Sequence, residues 1–125
     1  MNRRTTEEKG KIVIAEDNKD LCDLLQEILS EEGYRVDLVH DGFSLIAYLK
    51  QAQDVDVVIL DLIMPEKGGI SIFDTVRSIS PASKLIIYTG YTSYQHSIFA
   101  READAFINKT DGPEKLLETI EALLA

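Results

Sequence analysis

Short apolar runs alternate with helical segments about five times along the chain. Continuous aliphatic runs, typical of buried parallel strands, occupy residues 11–15, 55–60 and 85–88, and weaker runs occupy 34–40 and 105–107. Between them lie helical segments near 18–33, 70–79 and 111–124, and apolar residues fit helical spacing less well in segments near 41–49 and 93–101. The pattern therefore predicts five strands that alternate with five helices.

Strands that alternate with helices favour right-handed crossovers and a parallel sheet covered on both faces. Five such units in 125 residues predict an α/β domain with a doubly wound, five-stranded parallel sheet. The flavodoxin-like strand order 2-1-3-4-5 is the topology we expect, with helices on both faces. Asn18 and Gly33 are the expected N-cap and C-terminal stop of the first helix, and Asp111 and Glu114 have capping-box spacing before the last.

Composition narrows the class of protein. A chain of 125 residues is long enough for one domain with a core, which we expect over residues 11–125 after a disordered N-terminal tail at 1–10. The net charge of −9 argues against direct nucleic-acid binding, because nucleic-acid surfaces need a basic patch. Cys22 is the only cysteine, so an internal disulfide is excluded. No apolar run suggests a membrane span or a signal peptide, and we expect a cytoplasmic protein.

Polar side chains follow four of the predicted strands at the point where each strand ends. They are Glu16 and Asp17, Asp61, Thr89, and Lys109. In an open parallel sheet, ligands bind in the crevice outside the carboxyl ends of the strands. Three carboxylates crowded together repel each other unless a cation joins them, and oxygen ligands suit a hard divalent cation. The sequence therefore predicts a metal site beside a lysine. This combination of groups is suited to binding and transferring a phosphoryl group.

The sequence from Lys11 to the end of the chain resembles a known protein family. The resemblance is carried by four segments in a fixed order, which are IVIAEDN (12–18), VVILDLIMPEKGG (57–69), LIIYTG (85–90) and AFINK (105–109). With these segments the chain resembles the receiver domain of bacterial two-component response regulators. Each segment alone would be weak evidence, but the four together at these separations are specific.

The resemblance implies a role for each strand-end residue. Asp61 matches the phosphoacceptor, which would attack a phosphoryl group and become an acyl phosphate. Asp17 matches a direct Mg²⁺ ligand and Glu16 a neighbour that acts through water, while Asp61 and the backbone carbonyl of Ile63 would complete the protein's ligands. Lys109 matches the lysine that reaches back to the acidic pocket and offsets charge on the transferring oxygens.

Simpler interpretations of the same residues stay open. Asp61 could end a strand and cap the next turn, and Lys109 could be a solvated surface group. Glu16 and Asp17 could favour the positive N-terminus of the first helix, which is compatible with metal binding.

The resemblance also implies a conformational switch. Thr89 matches the switch hydroxyl, which would move to bond a phosphoryl oxygen. Phe106 matches the aromatic side chain that would turn into the space vacated by Thr89. The alternative is that Phe106 is a permanent core residue. Ile63 and Tyr91 lie two positions beyond Asp61 and Thr89, and both are bulky and poor at positioning water. We therefore expect slow loss of the phosphoryl group.

The loop after Asp61 and the corner after Lys109 carry further expectations. Gly68 and Gly69 match the loop that follows the phosphoacceptor, where glycine permits a backbone geometry closed to other residues. Thr110 stands where the family usually has proline after a cis bond, so the Lys109–Thr110 bond is either trans or held in a strained cis form.

Two further departures fall on the fourth helix. Glu102 replaces the glycine that usually ends this helix, and the stretch from Thr89 to Lys109 is a couple of residues shorter than usual. We therefore expect a short or irregular fourth helix.

The function implied by the resemblance is a phosphorylation-operated signalling switch. A sensor histidine kinase or histidine phosphotransfer protein would donate to Asp61 with Mg²⁺, and the altered face would bind a downstream protein target. The domain would be a monomer or a phosphorylation-dependent dimer, and no turnover of an external substrate is expected.

Three alternative functions are compatible with parts of the same pattern. One is a phosphorylation-independent interaction module, which would not need the intact set of pocket residues. Another is a Mg²⁺-dependent aspartate-nucleophile phosphatase of the haloacid dehalogenase type, which needs a second aspartate where this chain has Ile63. A flavoprotein of the same fold is more remote, because no phosphate-cradling loop follows the first strand.

Overall fold

The predicted parallel sheet and its strand order are confirmed. The computed structural model describes residues 8–52, 54–64, 68–90 and 97–125. All five strands are parallel and follow the order β2-β1-β3-β4-β5. The strands are β1 (Gly10–Ala15), β2 (Tyr34–Val39), β3 (Val57–Leu60), β4 (Lys84–Thr89) and β5 (Ala105–Asn108).

Helices follow each strand, and a short 3₁₀ turn (Lys109–Asp111) connects β5 to the last helix. The helices are α1 (Lys19–Glu31), α2 (Gly42–Gln51), α3 (Gly69–Ile79), α4 (Ile98–Glu102) and α5 (Pro113–Leu124). Of the predicted helix over 93–101, residues 93–96 lie outside the described residues, and the described part is helical from Ile98. Among the described residues, no helix has the length and apolarity needed to cross a bilayer.

The caps of α1 match the sequence prediction, whereas the cap of α5 does not. The side chain of Asn18 accepts the backbone N–H of Leu21 at 3.0 Å, and Gly33 takes a positive φ of 101° just past the helix. The expected capping box of Asp111 and Glu114 is wrong, because Asp111 lies inside the 3₁₀ turn. Gly112 occupies the N-cap position of α5 instead, ahead of a proline at the first helical position.

The predicted N-terminal tail is only partly within the described residues. Residues 1–7 lie outside them, so the tail stays a prediction. Strand β1 begins at Gly10, and the N–H of Lys9 donates to the carbonyl of Gly33 at 2.9 Å. The chain is therefore anchored to the sheet from Lys9 onward.

Two apolar layers hold the helices against the sheet. Side chains of α2 and α3 pack on one face, among them Leu45, Leu49, Ile72, Phe73 and Val76. Side chains of α1 and α5 pack on the other, among them Leu25, Leu29, Leu116 and Ile120. Because successive strand residues point to opposite faces, β1, β3 and β4 contribute to both layers. All their residues are buried except those at the starts of β1 and β4, which are Gly10, Lys11 and Lys84. The packing leaves the carboxyl edge of the sheet to loops, where the polar side chains lie.

Candidate functional site

The acidic residues predicted to meet at the carboxyl edge of the sheet do meet there. Strand β1 pairs with β3 so that Ala15 lies opposite Leu60, which brings Glu16 and Asp17 beside Asp61. Carboxylate oxygens of these three residues all lie within 4.8 Å of one another. Glu16 and Asp61 are 2% and 4% exposed, whereas Asp17 is exposed. Asp61 is thus almost fully buried although it lies at a strand end.

Lys109 reaches into this cluster from the end of β5. Its Nζ lies 2.7 Å from Oδ2 of Asp61 and 2.6 Å from Oε1 of Glu16. One ammonium group therefore bridges the two buried carboxylates. The Lys109–Thr110 peptide bond is trans, which settles the alternative left by the sequence, and the lysine reaches the pocket without a cis bond.

The protonation equilibria of the pair reflect both burial and contact. Burial raises the pKa of Glu16 above its usual value, and the contacts with Lys109 and with the N–H of Asn18 only partly oppose that rise. Burial by itself would lower the pKa of Lys109, but the hydrogen bonds to Asp61 and Glu16 outweigh it and raise that pKa. The lysine is therefore held in its charged form.

The backbone and side chain of Glu16 are fixed from several directions. The N–H of Asn18 donates to Oε2 of Glu16 at 3.0 Å. The carbonyl of Glu16 accepts the thiol of Cys22 at 3.3 Å and the Nδ1–H of His40 at 3.0 Å. Burial raises the pKa of Cys22 to about 11, so this thiol is an inert donor. The His40 contact was not predictable from the sequence, because it joins residues 24 positions apart.

A tight backbone approach shapes the loop after Asp61. The N–H of Gly69 donates to the carbonyl of Asp61 at 3.1 Å, and a Cβ at Gly69 would lie 2.5 Å from that oxygen. A Cβ at Gly68 would lie 2.7 Å from the carbonyl oxygen of Leu62. The geometry is therefore closed to other residues as expected, but through close contact, since neither glycine takes a positive φ. Glycine is needed because the two chain segments touch.

The residues predicted to switch lie around the same edge of the sheet. Thr89 is fully buried at the end of β4, opposite Asn108 of β5. Phe106 is half-buried and packs against the apolar layer of α2 and α3. Ile63 is 39% exposed, and its N–H donates to Oδ1 of Asp61 at 3.3 Å. Tyr91 lies outside the described residues.

The cluster suits a hard divalent cation. Three carboxylates and one ammonium leave two negative charges uncompensated. Oxygen ligands that lie this close together match the preference of Mg²⁺, which takes one or two carboxylates and keeps several waters. The donor set therefore fits the metal implied by the sequence.

Fold and site together define the class of protein. Residues 12–121 match the family described as the response regulator receiver domain. The chain belongs to this family.

The chain is similar in sequence and structure to individual response regulators. The transcriptional regulatory protein CpxR of Klebsiella pneumoniae is 32% identical over 117 residues, which cover 92% of this chain and 49% of CpxR. The chain thus spans about half the length of this relative. The response regulator TrrA of Thermotoga maritima, solved in complex with Mg²⁺ and BeF, is 28% identical with a TM-score of 0.84. That match covers 91% of this chain and 98% of TrrA.

A further structure contains a kinase. The complex of the histidine kinase ThkA with TrrA includes a chain that is 28% identical to this one, with a TM-score of 0.83. The match covers 93% of this chain and 99% of that one.

Proposed function

We propose that this receiver domain is a phosphorylation-operated switch whose phosphoacceptor is Asp61. The observation that carries the proposal is the pair of contacts from Lys109 Nζ to Asp61 and Glu16, at 2.7 Å and 2.6 Å. This pair sets a buried nucleophilic carboxylate beside a fixed positive charge and a second acid. A structural strand-end aspartate needs neither of these neighbours.

Asp61 supplies the nucleophile. One of its oxygens attacks the phosphorus of a phosphohistidine, the phosphorus–nitrogen bond breaks, and its electron pair stays on the imidazole. The product is an acyl phosphate on Asp61. Hydrolysis later returns the free carboxylate, so the domain acts as an acceptor and does not turn over an external substrate.

Lys109 and the acidic pair supply the electrostatic setting. The ammonium of Lys109 already lies at Oδ2 of Asp61 and offsets charge on the phosphoryl oxygens as they approach. Asp17, Asp61 and the backbone carbonyl of Ile63 would hold Mg²⁺ directly, and Glu16 would contribute through water. The metal supplies Lewis-acid polarisation of the phosphoryl oxygens.

Thr89 and Phe106 transmit the change. The hydroxyl of Thr89 bonds a phosphoryl oxygen on Asp61, and the half-buried ring of Phe106 turns toward the space that the threonine leaves. TrrA occurs in a complex with the histidine kinase ThkA, which supports a histidine kinase or a phosphotransfer protein as the donor for this chain. CpxR is a transcriptional regulatory protein, so a link to transcription is one form that the downstream output could take.

Two observations count against the rival functions. A phosphatase of the haloacid dehalogenase type needs an acid two residues after its nucleophile, and Ile63 offers an exposed apolar side chain there. An interaction module that is never phosphorylated needs no close lysine–aspartate contact and no cluster of three acids.

Beryllofluoride, which mimics a phosphoryl group on aspartate, tests this proposal. Amide NMR spectra of the wild-type protein are compared in Mg²⁺ alone and in Mg²⁺ with beryllofluoride. We expect shifts that centre on Asp61, Thr89 and Phe106 and that require both components. Asp61→Asn is the matched control, since it keeps the size of the side chain and removes the nucleophile. Equal shifts in this variant, or none in the wild type, would overturn the assignment of Asp61.

A further inference from the structure

The corner between β5 and α5 is built differently from the corner that the family resemblance implies. Asn108 ends β5, and its side-chain oxygen accepts the backbone N–H of Thr110 at 3.0 Å. The N–H of Gly112 donates to the carbonyl of Lys109 at 3.3 Å. These two bonds close a 3₁₀ turn around Lys109 with a trans Lys109–Thr110 bond.

The donor in the first bond exists because Thr110 is not proline. A proline at this position would have no N–H, and the side chain of Asn108 would lose its partner. The cap made by Asn108 therefore depends on having Thr110, rather than the family's usual proline, after Lys109.

This arrangement fixes the direction from which Lys109 enters the pocket. On the strand side, Asn108 lies in register with Thr89, so the backbone before Lys109 is tied to β4. On the turn side, the Asn108–Thr110 bond ties the backbone after it. A lysine side chain has four carbon atoms between backbone and ammonium and much rotamer freedom. Its simultaneous contact with Asp61 and Glu16 depends on where that backbone starts.

We propose that Asn108 is a positioning residue for Lys109. Its cap on the N–H of Thr110 holds the lysine backbone so that Nζ bridges Asp61 and Glu16. The inference rests on the proposed function for its consequence in phosphoryl transfer. The positioning itself is a property of the metal-free protein.

Three variants test this role. Asn108→Ala removes the cap, whereas Asn108→Ser restores an acceptor of comparable capping strength without adding charge. Asp41→Ala is the matched control, because Asp41 caps the N–H of Ser44 at the start of α2 through an exposed bond of 2.8 Å and lies outside the cluster. All three are compared for thermal stability, so that loss of a cap is separated from loss of position.

The first readout is the mobility of the Lys109 side chain in the metal-free protein, from carbon-13 relaxation of its Cε methylene. We expect more motion in Asn108→Ala than in the wild type, and wild-type order in Asn108→Ser and Asp41→Ala. The second readout is the rate of phosphorylation by acetyl phosphate with Mg²⁺. We expect this rate to be about three- to tenfold lower in Asn108→Ala, the factor that follows from the usual free-energy cost of a lost cap. The rates of Asn108→Ser and Asp41→Ala should match the wild type.

Thr110→Pro completes the test as a double-mutant cycle, because it removes the donor that Asn108 caps. In that background, Asn108→Ala should change neither the lysine mobility nor the rate. Wild-type lysine order in Asn108→Ala, or an equal effect of Asp41→Ala, would overturn the inference. A wild-type protein that acetyl phosphate leaves unmodified would instead refute the proposed function, and the relaxation measurement would still decide the role of Asn108.

Discussion

Lys109 is the counter-ion of two carboxylates that are almost fully buried. Removal of one partner from a buried ion pair leaves the other charge without compensation, which typically costs about 3 kcal/mol or more. We therefore expect Lys109→Ala to lower the free energy of unfolding by about 3 kcal/mol in metal-free buffer. Added Mg²⁺ should restore more stability to this variant than to the wild type, since the cation replaces the missing positive charge.

Urea unfolding with and without Mg²⁺ measures both effects. Lys115→Ala is the control, because Lys115 is exposed on α5 and its loss should change stability by no more than about 0.5 kcal/mol. Equal stabilities of the two variants without metal would refute the bridging role of Lys109.

The sequence was sufficient to find the charged residues of the site, but not the contacts that hold them. Asp61, Glu16 and Lys109 were predictable because each follows an apolar run and matches a motif. Asn108 and His40 act through side-chain hydrogen bonds to backbone atoms. Such bonds leave no periodic or compositional signal, and they become visible only when the backbone path is known.

At the scale of elements, the loop between β3 and α3 depends on close packing of its own backbone. In Gly69→Ala the new Cβ would meet the carbonyl oxygen of Asp61 at 2.5 Å and Cγ of Leu60 at 2.9 Å. The first is a backbone atom, and Leu60 is fully buried among other side chains, so neither contact is easily relieved. We expect a loss of about 1–3 kcal/mol in the free energy of unfolding, as for other overpacked sites.

Gly90→Ala is the matched control for this change, because within the described residues a Cβ there would meet no heavy atom within 4 Å outside its chain neighbours. Its stability should be close to that of the wild type. Chemical denaturation compares the two variants, and a tolerated Gly69→Ala would contradict the steric account of this loop.

Arg77 of α3 holds the end of α4 where the family usually has a glycine. Its Nη2 donates to the carbonyl of Glu102 at 3.0 Å and to Oδ2 of Asp104 at 3.3 Å, while Nη1 donates to the carbonyl of Ser83 at 3.2 Å. The guanidinium of Arg77 thereby provides a hydrogen-bond donor for the carbonyl of Glu102 at the end of α4. A glycine motif at the C-terminus of a helix would otherwise satisfy such a carbonyl.

Arg77→Lys should release the end of α4, because an ammonium cannot reproduce the planar fork. We expect faster hydrogen exchange over residues 98–104 and little change over β1 and β3. Arg101→Lys is the control, since it makes the same exchange of charge groups on an exposed position of α4 itself. The same protection of 98–104 in both variants would show that Arg77 does not hold α4.

The elements themselves were predictable in proportion to their apolar pattern. The buried strands β1, β3 and β4 were predicted within two residues, because continuous aliphatic runs are specific to strands covered on both faces. The cap of α5 was predicted wrongly, since capping-box spacing cannot reveal that a 3₁₀ turn has already taken up Asp111. Helix α4 was the weakest prediction because its segment lacks a clear apolar stripe.

At the scale of the whole molecule, several titratable groups each make the free energy of unfolding fall as the pH becomes alkaline. Burial raises the pKa of Tyr34 and Tyr88, and burial with a 2.6 Å hydrogen bond to Asp37 raises that of Tyr48. Contacts with Asp61 and Glu16 raise the pKa of Lys109.

Each of these groups binds its proton more tightly in the folded state. Their contribution to stability is therefore complete below the unfolded pKa values of about 10 and is lost as pH rises through the folded ones. We expect the free energy of unfolding to fall steadily above about pH 10. Urea titrations across this range measure it, and Tyr48→Phe should make the decline shallower. A stability that stays constant up to about pH 12 would contradict these shifts.

The central claim is that Asp61 accepts a phosphoryl group in a Mg²⁺-dependent reaction. Intact-protein mass spectrometry after incubation with acetyl phosphate tests it most directly, with and without Mg²⁺, on the wild type and on Asp61→Asn. We predict the mass gain of one phosphoryl group in the wild type with Mg²⁺ and no gain in Asp61→Asn. The same gain in Asp61→Asn, or no gain in the wild type with Mg²⁺ present, would contradict the claim.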